Sequence, residues 1–461
     1  MKNFLKIFFI FAMIFNFSVV FAEKLPEKDV IEEKHLSNDI PVYFMKNTAN
    51  HIDCVIVGVK GGIQYYGEEM SGIEKLTFEM MCKGSENYSY DEIQNLFYDT
   101  TSAISVKSAL YGSRLVLRSI DEYVETMLPV MLESFVSPQF PESEFEKSYT
   151  DCQTELQSQL NEPIRLAMYY AMKVLYENHP FAISNTATPE SINNLTLDAV
   201  KEYYKTLLDS RRFYVIAVTN KSSDDLMPYF EKYLGKIEKG TEPLKEMKIE
   251  DIKVKEDPMV FTHQAIAGSS HVFRAFSAPS IRSEFYEPFA VAKNIYDKIL
   301  FSVVRGKYGA CYSVFTGKEN LEAGVGFEIA YRCSDFSDIK NHMKEAREIL
   351  KEGKYITNTN ADGSFVFGSI KDDFENFKNS MITSYYESEI TTRDRAADLD
   401  SSILLFGDTT SFKKIMDSLT SVTYEQVMQA VDKYILSEDD FWFGVTGPED
   451  EDALMEALTK N

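Results

Sequence analysis

The sequence predicts an α+β protein made of two tandem, homologous halves, each an antiparallel sheet packed with helices. Two observations carry this reading. Short β-branched runs and amphipathic stretches are mixed along the chain without the strict β-α-β rhythm of a doubly wound sheet. The chain also repeats itself: Thr196-Leu197-Asp198-Ala199-Val200 opens a helix leading to the strand-like Tyr214 to Thr219, and Thr423-Tyr424-Glu425-Gln426-Val427 leads in the same way to Phe441 to Thr446. The span is 23 residues in both copies and the copies lie 227 apart, so two halves end alike.

The elements follow in order. Lys2 and Lys6 precede an apolar run from Ile7 to Phe21 that ends in Val20-Phe21-Ala22. A basic start, a short apolar stretch and a small residue before Glu23 predict a secretory leader over 1–22, cleaved after Ala22. The run is shorter than the ~20 residues a spanning helix needs; an uncleaved anchor is the alternative. Ile52 to Val59, Arg114 to Arg118 and Phe213 to Val218 read as strands. Ser71-Gly72-Ile73-Glu74 has the form of a capping box, Lys83-Gly84 supplies a stop, and Ile73, Leu76, Met80 and Met81 make an apolar stripe. That arrangement leaves Lys75, Phe78, Glu79 and Cys82 together on another face. Pro141 opens a long amphipathic helix through Phe145, Tyr149, Cys152, Leu156 and Leu160. Lys236 to Pro258 is charged and broken by Gly240, Pro243 and Pro258. The organisation expected is a leader over 1–22, a first half over 23–240, a linker over 241–258 and a second half over 259–461.

Composition narrows the function. The 461 residues, 44% hydrophobic and 26% charged, suffice for full-sized cores and exclude disorder. With 48 Lys and Arg against 72 Asp and Glu the formal charge is −24, and −26 once Lys2 and Lys6 leave with the leader. So acidic a chain argues against a nucleic-acid partner. The mature protein is expected to be exported, periplasmic or extracellular, with no stable membrane span. Cys54, Cys82, Cys152, Cys311 and Cys333 show no C-x-x-C spacing and are expected as buried or half-buried thiols; whether Cys82 and Cys152 pair stays open. The six histidines include no pair at i, i+3 or i+4, and no G-x-S-x-G, Walker loop or G-x-G-x-x-G is present.

Gly72-Ile-Glu-Lys-Leu-Thr-Phe-Glu-Met-Met-Cys-Lys-Gly-Ser85 resembles the G-L-A-H-F-x-E-H-M-x-F-K-G-T segment of the pitrilysin/insulinase-type metallopeptidases, which include the mitochondrial processing peptidase. Val59-Lys60-Gly61-Gly62 resembles the strand before that family's zinc helix. Pro138 to Lys147 is similar to its N-P-x-F-x-x-x-x-F motif, and Asn178-His179-Pro180-Phe181 to its G-H-P turn. The resemblance implies a clamshell of two related domains. In the family both His of an inverted H-x-x-E-H helix and a distal Glu bind zinc, and the helix Glu is the general base. Position by position this chain has Lys75, Phe78 and Glu79 for the motif, and keeps only the distal Glu155, 76 residues beyond Glu79. A lysine ammonium has no lone pair for a metal and a phenyl ring takes no proton from water. No catalytic residue and no zinc are therefore expected in this chain alone. A Glu79–Lys75–Glu155 cluster is the expected replacement; Lys75 simply facing solvent, or a two-carboxylate glycosidase or hard-cation site, are the alternatives.

Val304-Arg305-Gly-Lys-Tyr-Gly-Ala-Cys-Tyr312-Ser313 resembles the family's L-R-E-x-x-G-L-A-Y-S segment, with Gly306 and Ala310 as departures. The resemblance implies that Arg305 and Tyr312 hold substrate and offer donors to a developing oxyanion; otherwise Arg305 is a helix-end cation and Tyr312 the start of a strand. Some relatives divide the work between a zinc-bearing chain and a chain carrying the Arg/Tyr pair. The leading expectation is the second kind: a non-catalytic subunit that closes over a zinc-bearing homologue and shapes a chamber for peptides, its acidity favouring basic ones. A stand-alone pseudoenzyme acting as a peptide-binding or scaffolding module is the alternative, and a lone active protease a third.

Overall fold

The computed structural model describes residues 30–460 apart from 49, 178, 248, 250–251, 253–256, 267, 319–321, 323 and 389–390. The predicted leader, Asn178 and much of the predicted linker lie outside the described residues. The first half contains β1 (Ile31–His35), β2 (Pro41–Lys46), β3 (Ile52–Lys60), α1 (Ile73–Met81), α2 (Tyr90–Thr100), β4 (Ala103–Ala109), β5 (Gly112–Ile120), α3 (Val124–Val136), α4 (Glu142–Asn161), α5 (Pro163–Leu175), α6 (Leu197–Leu207), β6 (Phe213–Thr219) and α7 (Ser223–Leu234). The second contains β7 (Met259–Thr262), β8 (Ser270–Ser277), α8 (Tyr286–Leu300), β9 (Cys311–Lys318), β10 (Val325–Cys333), α9 (Ile339–Lys351), β11 (Lys354–Thr359), β12 (Phe365–Ser369), α10 (Phe374–Ser388), α11 (Thr392–Phe406), α12 (Ser411–Ser418), α13 (Tyr424–Ala430), β13 (Asp440–Thr446) and α14 (Glu451–Thr459). A π-helical turn, Phe301–Lys307, continues α8.

The strand order is β1-β2-β6-β3-β5-β4 in one sheet and β7-β13-β8-β10-β9 in the other. The last strand of each half's sheet is inserted between two earlier strands, β6 between β2 and β3 and β13 between β7 and β8. Thr196 and Thr423 cap the preceding helices identically, each hydroxyl accepting from the backbone three residues on. The sheets are antiparallel as expected except for one parallel pair each: β6 runs parallel to β2 and β13 parallel to β7. The reason is geometric. A strand inserted between two strands of opposite direction is parallel to one and antiparallel to the other.

The central strands β3 and β6 are buried on both faces, which is why they read as unbroken apolar runs. Val55, Val57 and Val59 enter the first half's own core with its helices. Cys54 and Ile56 turn the other way, with Tyr214 and Ile216, and are covered by Ala396, Leu399 and Ile403 of α11, a helix of the second half. Asp400 on that helix accepts a hydrogen bond from the Tyr214 hydroxyl at 2.5 Å and pairs with Arg114 at 2.8 Å. The exchange is reciprocal: Leu166, Ala167 and Ala171 of α5 cover the second sheet at Phe273, Phe327 and Phe443. Each half therefore lends a helix to the other. Met247, Ile249 and Ile252 of the expected linker also pack against this second interface.

Candidate functional site

Helix α1 begins at Gly72, whose φ of 89° no side chain adopts easily, and a Cβ there would meet the Ala187 nitrogen at 2.5 Å. The expected capping box is not formed. Gly72 is the N-cap and makes no side-chain cap bond. Ser71 instead accepts from the Ser184 amide, and Ser191 donates to the Ser71 carbonyl at 2.8 Å, so the helix start is tied to the 184–191 segment. Glu74 does not reach back: it is buried, accepting from the Ser113 hydroxyl at 2.5 Å and the Tyr203 hydroxyl at 2.6 Å. Burial raises its carboxyl pKa, opposed by those two bonds and by Arg212.

Ile73, Leu76, Met80 and Met81 are buried as the stripe requires. Phe78 departs from the expected face. It is fully buried, edge-on to Phe135 with ring centroids 5.9 Å apart. At the rim of the apolar arc, a phenyl ring gains more by turning into the core than by facing the polar cleft. Lys75 and Glu79 stay on the polar side, and α4 brings Glu155 to meet them. The Lys75 ammonium donates to Glu155 Oε2 and lies 3.9 Å from Glu79 Oε1. Burial raises the Glu79 carboxyl above its ordinary range, Lys75 draws it back, and Glu155 adds to the rise. Cys152, also at this spot, is pushed up to about 11, mainly by burial and then by Glu79. Cys82 is pushed up to about 12 by burial, and all five cysteines are free thiols. A cavity of ≈ 10 Å³ remains between Gly72, Lys75, Glu79, Cys152 and Glu155, room for about one water.

This donor set does not fit zinc. The ammonium stands between the two remaining carboxylates, and among the described residues no group of three His, Cys, Asp or Glu is placed to hold a metal ion.

Arg305 and Tyr312 are brought together in the second half. Arg305 sits on the π-helical turn after α8 and Tyr312 on β9, with the guanidinium 4.9 Å from the Tyr312 ring centroid and 5.4 Å from that of Phe301. Tyr312 is 62% exposed. Arg305 contacts rings and no carboxylate among the described residues, so both donors are open to a ligand. His179-Pro180-Phe181 forms a structural turn: the His179 ring accepts from the Phe181 amide at 3.1 Å and Phe181 is buried. Sequence reading missed the hairpin β11–β12, which lies outside both main sheets. Its signal was present, an Asp362-Gly363 turn between Tyr355-Ile356 and Phe365-Val366-Phe367.

Residues 42–188 match the family model described as Insulinase (Peptidase family M16), and residues 194–355 the one described as Peptidase M16 inactive domain. The chain belongs to the M16 (insulinase) peptidase family. It is 22% identical over 415 residues to the Uncharacterized zinc protease YmxG of Bacillus subtilis, covering 89% of this chain and 97% of the relative. It is 21% identical over 358 residues to the Non-peptidase homolog YmxG of Helicobacter pylori, covering 75% and 80%. A shorter match of 194 residues, 21% identical and covering 41% and 42%, is to the Probable mitochondrial-processing peptidase subunit beta of Schizosaccharomyces pombe. The crystal structure of a protease from Helicobacter pylori superposes with a TM-score of 0.78 at 15% identity, covering 91% of this chain and 99% of that one.

Proposed function

We propose that this chain is a zinc-less, exported member of the M16 family that serves as the non-catalytic subunit of a heterodimeric peptidase, closing over a zinc-bearing homologue and lending Arg305 and Tyr312 to peptide held between them. The observation that carries the reading is the contrast between the two halves. In the first, Lys75 fills the place of a metal between Glu79 and Glu155, and Phe78 is sealed in the core. In the second, a half-buried guanidinium stacks on an exposed phenol with no carboxylate partner among the described residues, the donor chemistry that a developing oxyanion needs. Two relatives support it from either side: one is named a non-peptidase homolog and another a peptidase subunit.

The purified chain is expected to hold no stoichiometric zinc and to cleave no peptide, and to co-purify with a homologue bearing an intact H-x-x-E-H. Mixing the two raises turnover, and Arg305→Ala or Tyr312→Phe lowers it on the order of 10²-fold without dissolving the complex. Zinc bound to this chain together with unaided cleavage sinks the proposal. If no companion is found and peptide still binds, the stand-alone binding module replaces it.

A further inference from the structure

We propose that Cys311 and Cys333 are a modification site, an opposed pair of thiols that closes into a cross-strand disulfide on exchange with a disulfide oxidant. Of the five cysteines, these two are set face to face by a strand register: Ala330 stands opposite Val314, Tyr331 opposite Ser313 and Cys333 opposite Cys311. The Ser334 amide donates to the Ala310 carbonyl at 3.0 Å, which makes residues 310 and 334 a hydrogen-bonded pair. Pairs alternate along an antiparallel ladder, so Cys311 and Cys333 form the next, non-hydrogen-bonded pair. Cα atoms in such a pair lie about 4.5 Å apart with their side chains close, inside the roughly 4.4–6.8 Å that a disulfide spans. Both side chains enter the same apolar cluster, at 5% and 3% exposure. Arg332 makes that possible on β10. Ala330 and Cys333, three residues apart, would face opposite ways on a regular strand, and the left-handed Arg332 between them, with φ of 50°, brings both into one cluster. The irregularity shifts β10 against β8 and leaves its register with β9 unbroken.

Cys311 is the thiol that reacts first. It adjoins the exposed Tyr312, and Arg305 favours its thiolate against the burial that pushes it up to about 11. Cys333 is raised by burial and then by Cys311, and its thiol donates to the Ala330 carbonyl at 3.6 Å. Exchange runs in two steps. The Cys311 thiolate attacks one sulfur of the oxidant; the oxidant's S–S bond breaks, a mixed disulfide forms, and the other sulfur leaves as a thiolate that takes up the proton lost by Cys311. The Cys333 thiolate then attacks the Cys311 sulfur, and the second oxidant sulfur leaves with the proton of Cys333. Two protein thiols are oxidised by two electrons and one disulfide is reduced to two thiols. The product tightens the Arg305–Tyr312 motif. Strand β9 is the edge of its sheet, held among the described strands by β10 alone. The new bond pins its first residue beside Tyr312, at a point already joined to the turn carrying Arg305 by the Ala310 amide on the Val304 carbonyl at 3.1 Å and the Gly309 amide on the Arg305 carbonyl at 3.0 Å. Exported chains meet disulfide oxidants, so the inference draws on the proposed export for its setting and on the proposed subunit role for its effect on Arg305 and Tyr312.

The folded, reduced full chain is incubated with oxidised glutathione and its tryptic peptides are mapped by mass without reductant. Residues 308–318 are expected to emerge linked to residues 333–340, with the loss of two hydrogens and no glutathione retained. With Cys333→Ala the glutathione adduct on Cys311 accumulates, because the resolving thiol is gone. With Cys311→Ala adduct formation on Cys333 slows roughly tenfold or more. Free thiols at both positions of the native chain, a lasting glutathione adduct on it, linkage that needs urea, or linkage of Cys311 to another cysteine overturns the inference. Companion-assisted turnover separates the two readings. If the link forms while Arg305→Ala leaves turnover intact, the disulfide site stands and the subunit role falls. If no link forms while Arg305→Ala lowers turnover, the subunit role stands and the disulfide site falls.

Discussion

At the scale of single residues, Lys75 decides the chemistry of the first half. It stands between two carboxylates and offsets one of their two charges, so Lys75→Met should cost about 1 kcal/mol of stability at neutral pH. Glu79 already has a raised pKa, and a carboxyl raised in the fold destabilises when ionised. The deficit of the variant is therefore greatest at pH 8 and shrinks as pH falls through the carboxylate range, as urea melts at pH 8 and pH 5 would register. A second substitution set probes the lost donors. Lys75→His with Glu79→His places two imidazoles opposite the Glu155 carboxylate and should confer zinc binding measurable by calorimetry, yet no peptidase activity, because Phe78 offers no base. Failure to bind zinc would show that the backbone of α1 no longer presents these positions to a common point. Periodicity alone set Phe78 beside Lys75 and Glu79; it could not weigh a residue at the edge of the apolar arc, where packing against Phe135 decides. The capping box failed for a related reason. The S-x-x-E pattern is local, whereas Glu74 is claimed by Ser113 and Tyr203 from distant strand and helix.

At the scale of elements, the strands and the long helix α4 were legible because burial on both faces or along one stripe leaves a strong pattern over many residues. The parallel pairs were not, since no local pattern tells where a returning strand inserts. Strand β8 carries a buried titratable group. His271 is buried, its Nδ1 accepts from the Arg332 amide at 3.3 Å, and among the described residues its Nε2 has no hydrogen-bond partner. Burial first, and then Arg332, hold its pKa down at about 4. A histidine lowered in the fold stabilises above its unfolded pKa near 6.5 and loses that contribution as pH falls toward about 4, roughly 3 kcal/mol in all. His271→Phe should flatten the acid limb of the stability profile between those values. An unchanged limb would place acid sensitivity elsewhere.

At the scale of the whole molecule, the reciprocal covering by α5 and α11 makes the halves interdependent. Leu399 is 3% exposed between α11 and the first sheet, so Leu399→Ala should cost about 2–4 kcal/mol, and because it sits at the shared interface both halves should melt together. Residues 23–240 and 259–461 expressed separately should each expose an apolar sheet face and aggregate, and should recover solubility when co-expressed. A soluble, cooperatively folding first half alone would contradict this. The duplication was visible in the Thr196 and Thr423 repeats, but not the exchange of helices, because α5 and α11 are amphipathic towards sheets that the chain reaches or leaves far away in sequence.

The crossed helices also set a timetable for biosynthesis. A nascent chain that has completed β6 still lacks the lid over Cys54, Ile56, Tyr214 and Ile216, and must wait for residues 392–406 to emerge before that surface is shielded. Until then the uncovered apolar surface makes the intermediate aggregation-prone, which a holdase would have to guard.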